Sequence, residues 1–158
     1  MLFKVIRVVN MQRTLKMVVQ ISLLAISLSA VVSADDQDVI DYREHVMKTL
    51  DEQSSAVGMI LSTTIAGDNT ASHLEAIALT ARIALKAFEP KVLGGEAKPE
   101  VWSNWAAFSK RMNEFAKNTA DVARLAKEKG SDDPALSEKV VDAFSCKSCH
   151  DLYRREKK

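Results

Sequence analysis

Two cysteines and one histidine share a single pentapeptide, Cys146-Lys147-Ser148-Cys149-His150, and the 158-residue chain has no other cysteine. On a helix that turns about 100° per residue, positions 146, 149 and 150 fall within an arc of roughly 100°. Two thiols and an imidazole therefore leave one face. Three chemistries use such a set. Covalent haem attachment needs two thiols to form thioethers with the vinyl groups, and a neighbouring imidazole to reach the iron from one side. A redox-active dithiol uses the same Cys-x-x-Cys spacing, but at the start of a helix beside a βαβ unit, and no strand is visible in the pattern here. A structural zinc site takes four ligands, and His45 and His73 are the histidines left to complete it. One haem c is the expected cofactor, with Cys146 and Cys149 as attachment points and His150 as an iron ligand.

The opposite side of the iron has a sharp candidate in Met47, because a thioether is a soft ligand suited to haem iron. It lies on the apolar stripe of the first helical segment. Methionines on such stripes also serve simply as core fillers, so spacing alone leaves both roles open. Arg43 sits one turn earlier on the same face, where a guanidinium can pair with a haem propionate. His45, two positions from Met47, points elsewhere on the helix, and it and His73 are each expected to be an exposed or capping residue rather than a ligand.

The elements that position these groups are read from punctuation and period. Every proline, and every glycine except Gly58, falls in one of three places: Gly67; Pro90, Gly94, Gly95 and Pro99; and Gly130 with Pro134. These mark loops, since glycine permits positive φ and proline removes a backbone donor. Four segments remain, over about 36–65, 72–89, 100–129 and 134–156. Each places apolar residues at alternating steps of three and four. The stripes are Val39, Val46 or Met47, Leu50, Val57 and Leu61; Leu74, Ile77, Ala81, Ala84 and Phe88; Trp102, Trp105, Phe108, Met112, Phe115, Val122 and Leu125; and Leu136, Val140, Phe144 and Tyr153. Ser72 and Glu75 have the spacing of a capping box. Asp133 before Pro134 reads as an N-cap, and Pro99 suits a first turn. Four helices joined by two short connections and one longer one predict an all-α, up-down-up-down antiparallel bundle.

Composition agrees. The chain is 47% hydrophobic and 27% charged with a formal net charge of +1. That argues against disorder and gives no reason to expect nucleic acid as a partner. Residues 1–34 read as an export signal. Lys4, Arg7, Arg13 and Lys16 precede the largely apolar run Met17–Val32, and Val32-Ser33-Ala34 offers small residues for cleavage. Met11 could equally serve as the start. A membrane anchor is the alternative, although a span needs about 20 largely apolar residues and this run is shorter and interrupted. Cleavage after Ala34 leaves a domain over 35–158. It removes four of the 22 basic residues and none of the 21 acidic ones, for a net charge of −3. The cysteines would then work in an oxidising compartment such as a bacterial periplasm.

Three stretches resemble the class II cytochromes c, the cytochrome c′ and cytochrome c-556 family: Asp41-Tyr42-Arg43-Glu44-His45-Val46-Met47-Lys48, Pro99-Glu100-Val101-Trp102 with Phe108, and Cys146 through Arg154. They lie in family order and span nearly the whole mature chain. The resemblance implies one covalently bound haem in a four-helix bundle, often a homodimer through its first two helices. It implies that Arg43 contacts a propionate and that Met47 occupies the distal face. Trp102 would pack near the haem, and Arg154 would lie close to the proximal His150. In c-556 proteins a methionine in the place of Met47 ligates iron. In cytochromes c′ the residue there covers a site open to nitric oxide or carbon monoxide. Three functions follow as expectations: electron transfer with redox partner proteins, binding of a diatomic gas, and peroxidase-like catalysis. The last needs a polar acid–base pair above the iron, and the residues beside Met47, Val46 and Leu50, offer none.

Overall fold

The computed structural model describes residues 34–62 and 66–156. The expected export segment lies outside them except for Ala34. Helix α1 spans Asp36–Leu61. Asp35 caps it by accepting from the Asp38 backbone N–H at 2.8 Å, while the Asp38 carboxylate accepts from the Asp35 N–H at 3.3 Å. The acids clustered at this end favourably oppose the positive end of the helix dipole.

Helix α2, Thr70–Ala84, continues as a tighter turn over Leu85–Phe88. The expected Ser72–Glu75 capping box is not formed. The chain is already winding at the 3-10 turn Gly67–Asn69, where the Thr70 hydroxyl donates to the Gly67 carbonyl at 2.6 Å. Ser72 is therefore inside the helix, and α2 has no side-chain cap.

The third and fourth segments are each broken. The third becomes α3, Glu100–Ser103, and α4, Trp105–Lys129, parted at Asn104 (φ −124°, ψ 45°). The fourth becomes α5, Pro134–Ala143, and α6, Cys146–Tyr153, parted at Phe144 (φ −92°, ψ 58°) and Ser145. Neither break carries a glycine or proline, and both have tertiary partners. At the first, the Trp102 indole N–H donates to the Phe88 carbonyl at 2.9 Å. At the second, α6 turns to pack against α3, and the Tyr153 carbonyl accepts from the Lys98 N–H at 2.9 Å. Asp133 caps α5 as expected, accepting from the Ala135 N–H at 2.8 Å.

The result is a four-helix bundle in which α2 packs on α1 and α4, α4 packs on α5, and α5 with α6 makes the fourth rod. Its core holds Val46, Leu50 and Val57 of α1; Leu74, Ile77, Ala81 and Ala84 of α2; Phe108, Met112 and Val122 of α4; and Leu136, Val140 and Tyr153 of the last rod. Each fully buried large aliphatic side chain stabilises the fold by about 1.5–3 kcal/mol. Tyr153 and Phe108 meet edge to face, with ring centroids 5.1 Å apart, and Phe108 meets Phe88 in the same way at 5.1 Å. Among the described residues, no helix is long and apolar enough to cross a membrane.

The two polar ends make contrasting predictions. Asp133→Ala removes a cap and lowers stability by about 1 kcal/mol. Ser72→Ala, inside α2 and exposed, changes it by less than about 0.5 kcal/mol. Urea denaturation of the two variants beside the parent checks both values.

Candidate functional site

The pentapeptide opens α6, with Cys146 as its first residue. Cys146 is exposed, while Cys149 and His150 are half-buried, Cys149 against the core. Both thiols are free. Burial pushes the Cys146 thiol above its ordinary pKa; a backbone hydrogen bond acts downward and the Asp51 charge upward. Burial likewise raises Cys149, against the opposing charge of Arg111. This bears on the dithiol alternative. The start of a helix is where a redox Cys-x-x-Cys sits, but such a site works through a thiolate of lowered pKa. Here both shifts run the other way.

Burial lowers the pKa of His150, and the Arg154 guanidinium lowers it further, against Asp51, Glu96 and Asp151. Both effects favour the neutral imidazole, the form whose nitrogen lone pair a metal takes. The histidines that zinc would need are elsewhere. His45 is exposed on α1, and the His73 ring bonds the Gln53 side-chain oxygen at 2.8 Å. Among the described residues, no group of three or more His, Cys, Asp and Glu side chains gathers as a metal site.

Among the described residues, Arg43 is the largest fully buried side chain, only 1% exposed. It donates from Nη1 to the Val92 carbonyl and from Nη2 to the Gly94 carbonyl, each at 2.8 Å. The guanidinium lies 5.1 Å from the Trp102 ring centroid and 5.9 Å from that of Phe88, within cation–π range. Desolvation lowers its pKa from the usual arginine value, outweighing the Glu44 charge, yet arginine stays charged at any physiological pH. Its Nε–H is buried without a partner. A buried cation with one unmet donor suits an anionic oxygen, and a haem propionate supplies one.

The loop that Arg43 holds lies close on α1. Gly94 and Gly95 adopt φ of 144° and 55°, conformations that side-chain-bearing residues rarely take. A Cβ at Gly94 would stand 2.6 Å from Ile40 Cδ1, and one at Gly95 would run into Glu44.

Met47 is half-buried against the core, one turn before Asp51, whose charge reaches both Cys146 and His150. Trp102 packs on Arg43. Arg154 follows α6, its N–H donating to the His150 carbonyl at 2.9 Å. Tyr153 is buried in the core. Asp51, Arg111 and Glu96 were not singled out from sequence. They are charged residues at exposed or loop positions, where no periodicity marks them.

A helical bundle with a Cys-x-x-Cys-His segment on its last helix is the architecture of a helical c-type cytochrome. A family model described as Cytochrome C′ matches residues 38–154, and the chain belongs to the cytochrome c′ family, whose members carry covalently attached haem c with iron. A cytochrome c′ of Alcaligenes xylosoxydans xylosoxydans is 26% identical over 131 residues, covering 78% of this chain and 98% of that protein. Among solved structures, cytochrome c prime from Shewanella frigidimarina is similar with a TM-score of 0.71. It is 25% identical and covers 78% of this chain and 99% of its own. A nitrosyl complex of a variant cytochrome c prime from Alcaligenes xylosoxidans matches with a TM-score of 0.71 at 26% identity, covering 77% of this chain and 98% of its own.

Two variants separate attachment from packing. Cys146→Ala/Cys149→Ala loses covalently held haem, read as a protein mass lacking that of the porphyrin after acid–acetone extraction. Arg43→Met retains the covalent haem. It leaves the Val92 and Gly94 carbonyls without donors and costs about 2–4 kcal/mol in urea denaturation of the holo-protein.

Proposed function

We propose that the chain is an exported, periplasmic electron carrier with one haem c, held through Cys146 and Cys149 and ligated by His150 and Met47. The observation that carries this reading is the placement of Met47. It is half-buried, on the α1 face that continues to Asp51, and Asp51 is within electrostatic reach of Cys146 and His150. The bound group supplies the one-electron Fe(II)/Fe(III) couple. His150 and Met47 would hold the iron, and burial and the surrounding charge would set the potential. In this reading the Arg43 Nε–H meets a propionate and Trp102 packs beside it.

The capped start of α1 at Asp35 immediately follows the proposed cleavage site at Ala34. The partners in this reading are redox proteins, and the role is electron exchange rather than turnover. A homodimer through α1 and α2 fits the exposed Leu79 and Ile83, one turn apart on α2.

A second reading is supported by the relative from Alcaligenes xylosoxidans solved as a nitrosyl complex. In it, Met47 covers an open iron face that takes nitric oxide or carbon monoxide.

The absorption spectrum of the reduced protein decides between them. Met47 ligation gives sharp low-spin bands that carbon monoxide leaves in place, and Met47→Ala makes the spectrum high-spin and responsive to carbon monoxide. A parent protein already high-spin and shifted by carbon monoxide overturns the carrier reading in favour of gas binding.

A further inference from the structure

The Arg154 guanidinium does not stand alone beside the proposed proximal ligand. Glu96, in the loop between the turn Leu85–Phe88 and α3, accepts from both Arg154 Nε and Arg154 Nη2 on one oxygen, each at 2.6 Å. The Glu96 backbone is engaged at both ends. Its carbonyl accepts from the Arg155 N–H at 2.8 Å, and its N–H donates to Glu44 Oε1 of α1 at 3.1 Å. The neighbouring residues hold the same end of α6. Ala97 forms a bridge with Arg154, the Lys98 N–H reaches the Tyr153 carbonyl at 2.9 Å, and Lys98 Nζ donates to the Asp151 carbonyl at 2.9 Å. Arg154 in turn donates its own N–H to the His150 carbonyl at 2.9 Å. One loop residue thus connects α1, the end of α6 and the turn that bears His150.

We propose that Glu96 is a positioning residue: it holds the Arg154 guanidinium in a fixed place beside His150 and offsets its charge there. This rests on His150 being the proximal iron ligand. The pair is about one-third exposed on each side (35% for Arg154 and 40% for Glu96), so solvent screens it. Its importance is the geometry it imposes more than the stability it adds. A guanidinium released from Glu96 would sample several rotamers, and an uncompensated positive charge near the iron would favour the reduced state.

The test uses the oxidised holo-protein. In the parent, the Arg154 Nε–H resonance carries a paramagnetic shift and exchanges with water roughly five- to tenfold more slowly than the Nε–H of exposed Arg155. Glu96→Ala collapses the shift toward the unshifted arginine position, removes the protection, and raises the reduction potential. Arg154→Gln lowers the potential. A parent in which Arg154 Nε–H exchanges as fast as that of Arg155 overturns the proposal without any variant. So does Glu96→Ala that leaves the Arg154 shift and the potential unchanged while only lowering the melting temperature, since that is a structural role alone. A parent that binds no haem fails the proposed function instead, and is distinguished by its missing absorption.

Discussion

A guanidinium buried inside a bundle is tolerated only if its donors are met, because an unpaired charge in a low-dielectric interior costs several kcal/mol. Arg43 meets this condition in part, with two backbone carbonyls from a distant loop and two aromatic faces, and keeps its Nε–H unpartnered. Those partners come from three places in the chain: the residues around Val92 and Gly94, the end of the α2 rod at Phe88, and α3 at Trp102. Satisfying one side chain therefore fixes where the long loop crosses α1. The glycines make that crossing possible, since side chains at 94 and 95 would collide with Ile40 and Glu44.

The same loop then holds the end of α6. Its next residues bond Tyr153, Arg154 and Arg155 through backbone and side chain. The segment bearing Cys146, Cys149 and His150 is thus referred back to α1 through two successive loop segments, one clasped by Arg43 and one clasping Arg154. Rigid support of this kind matters for a c-type cytochrome, because ligand orientation and nearby charge tune the metal along with ligand identity. It also accounts for the break between α5 and α6. A straight fourth helix would carry its last turn along the α5 axis, whereas the bent one delivers Tyr153 to Phe108 and to Lys98.

The local signals that proved readable were those with local causes. Except for Val39, the stripes of α1, α2, α4 and α5 became the core or packed against it, because helical period and apolar burial are tied residue by residue. Asp133 became a cap because the next residue, Pro134, has no N–H to offer and opens the helix. Ser72 and Glu75 failed as a box because the chain begins to wind five residues earlier, at Gly67, and nothing local says which of two overlapping starts prevails. The breaks at Asn104 and Phe144 were silent for the same reason: their partners lie at Phe88 and Lys98.

The amino-acid order alone determined the cofactor chemistry, the four rods and the residues facing the core, since each depends on neighbours three or four positions apart. Arg43, Met47, Trp102 and Arg154 could be named from it, but not the company they keep. Only the folded chain decided that Arg43 holds a loop about fifty residues away with one donor left over, and that Glu96 grips Arg154. Ion pairs and buried hydrogen bonds join residues without regard to their spacing along the chain, so no periodicity records them.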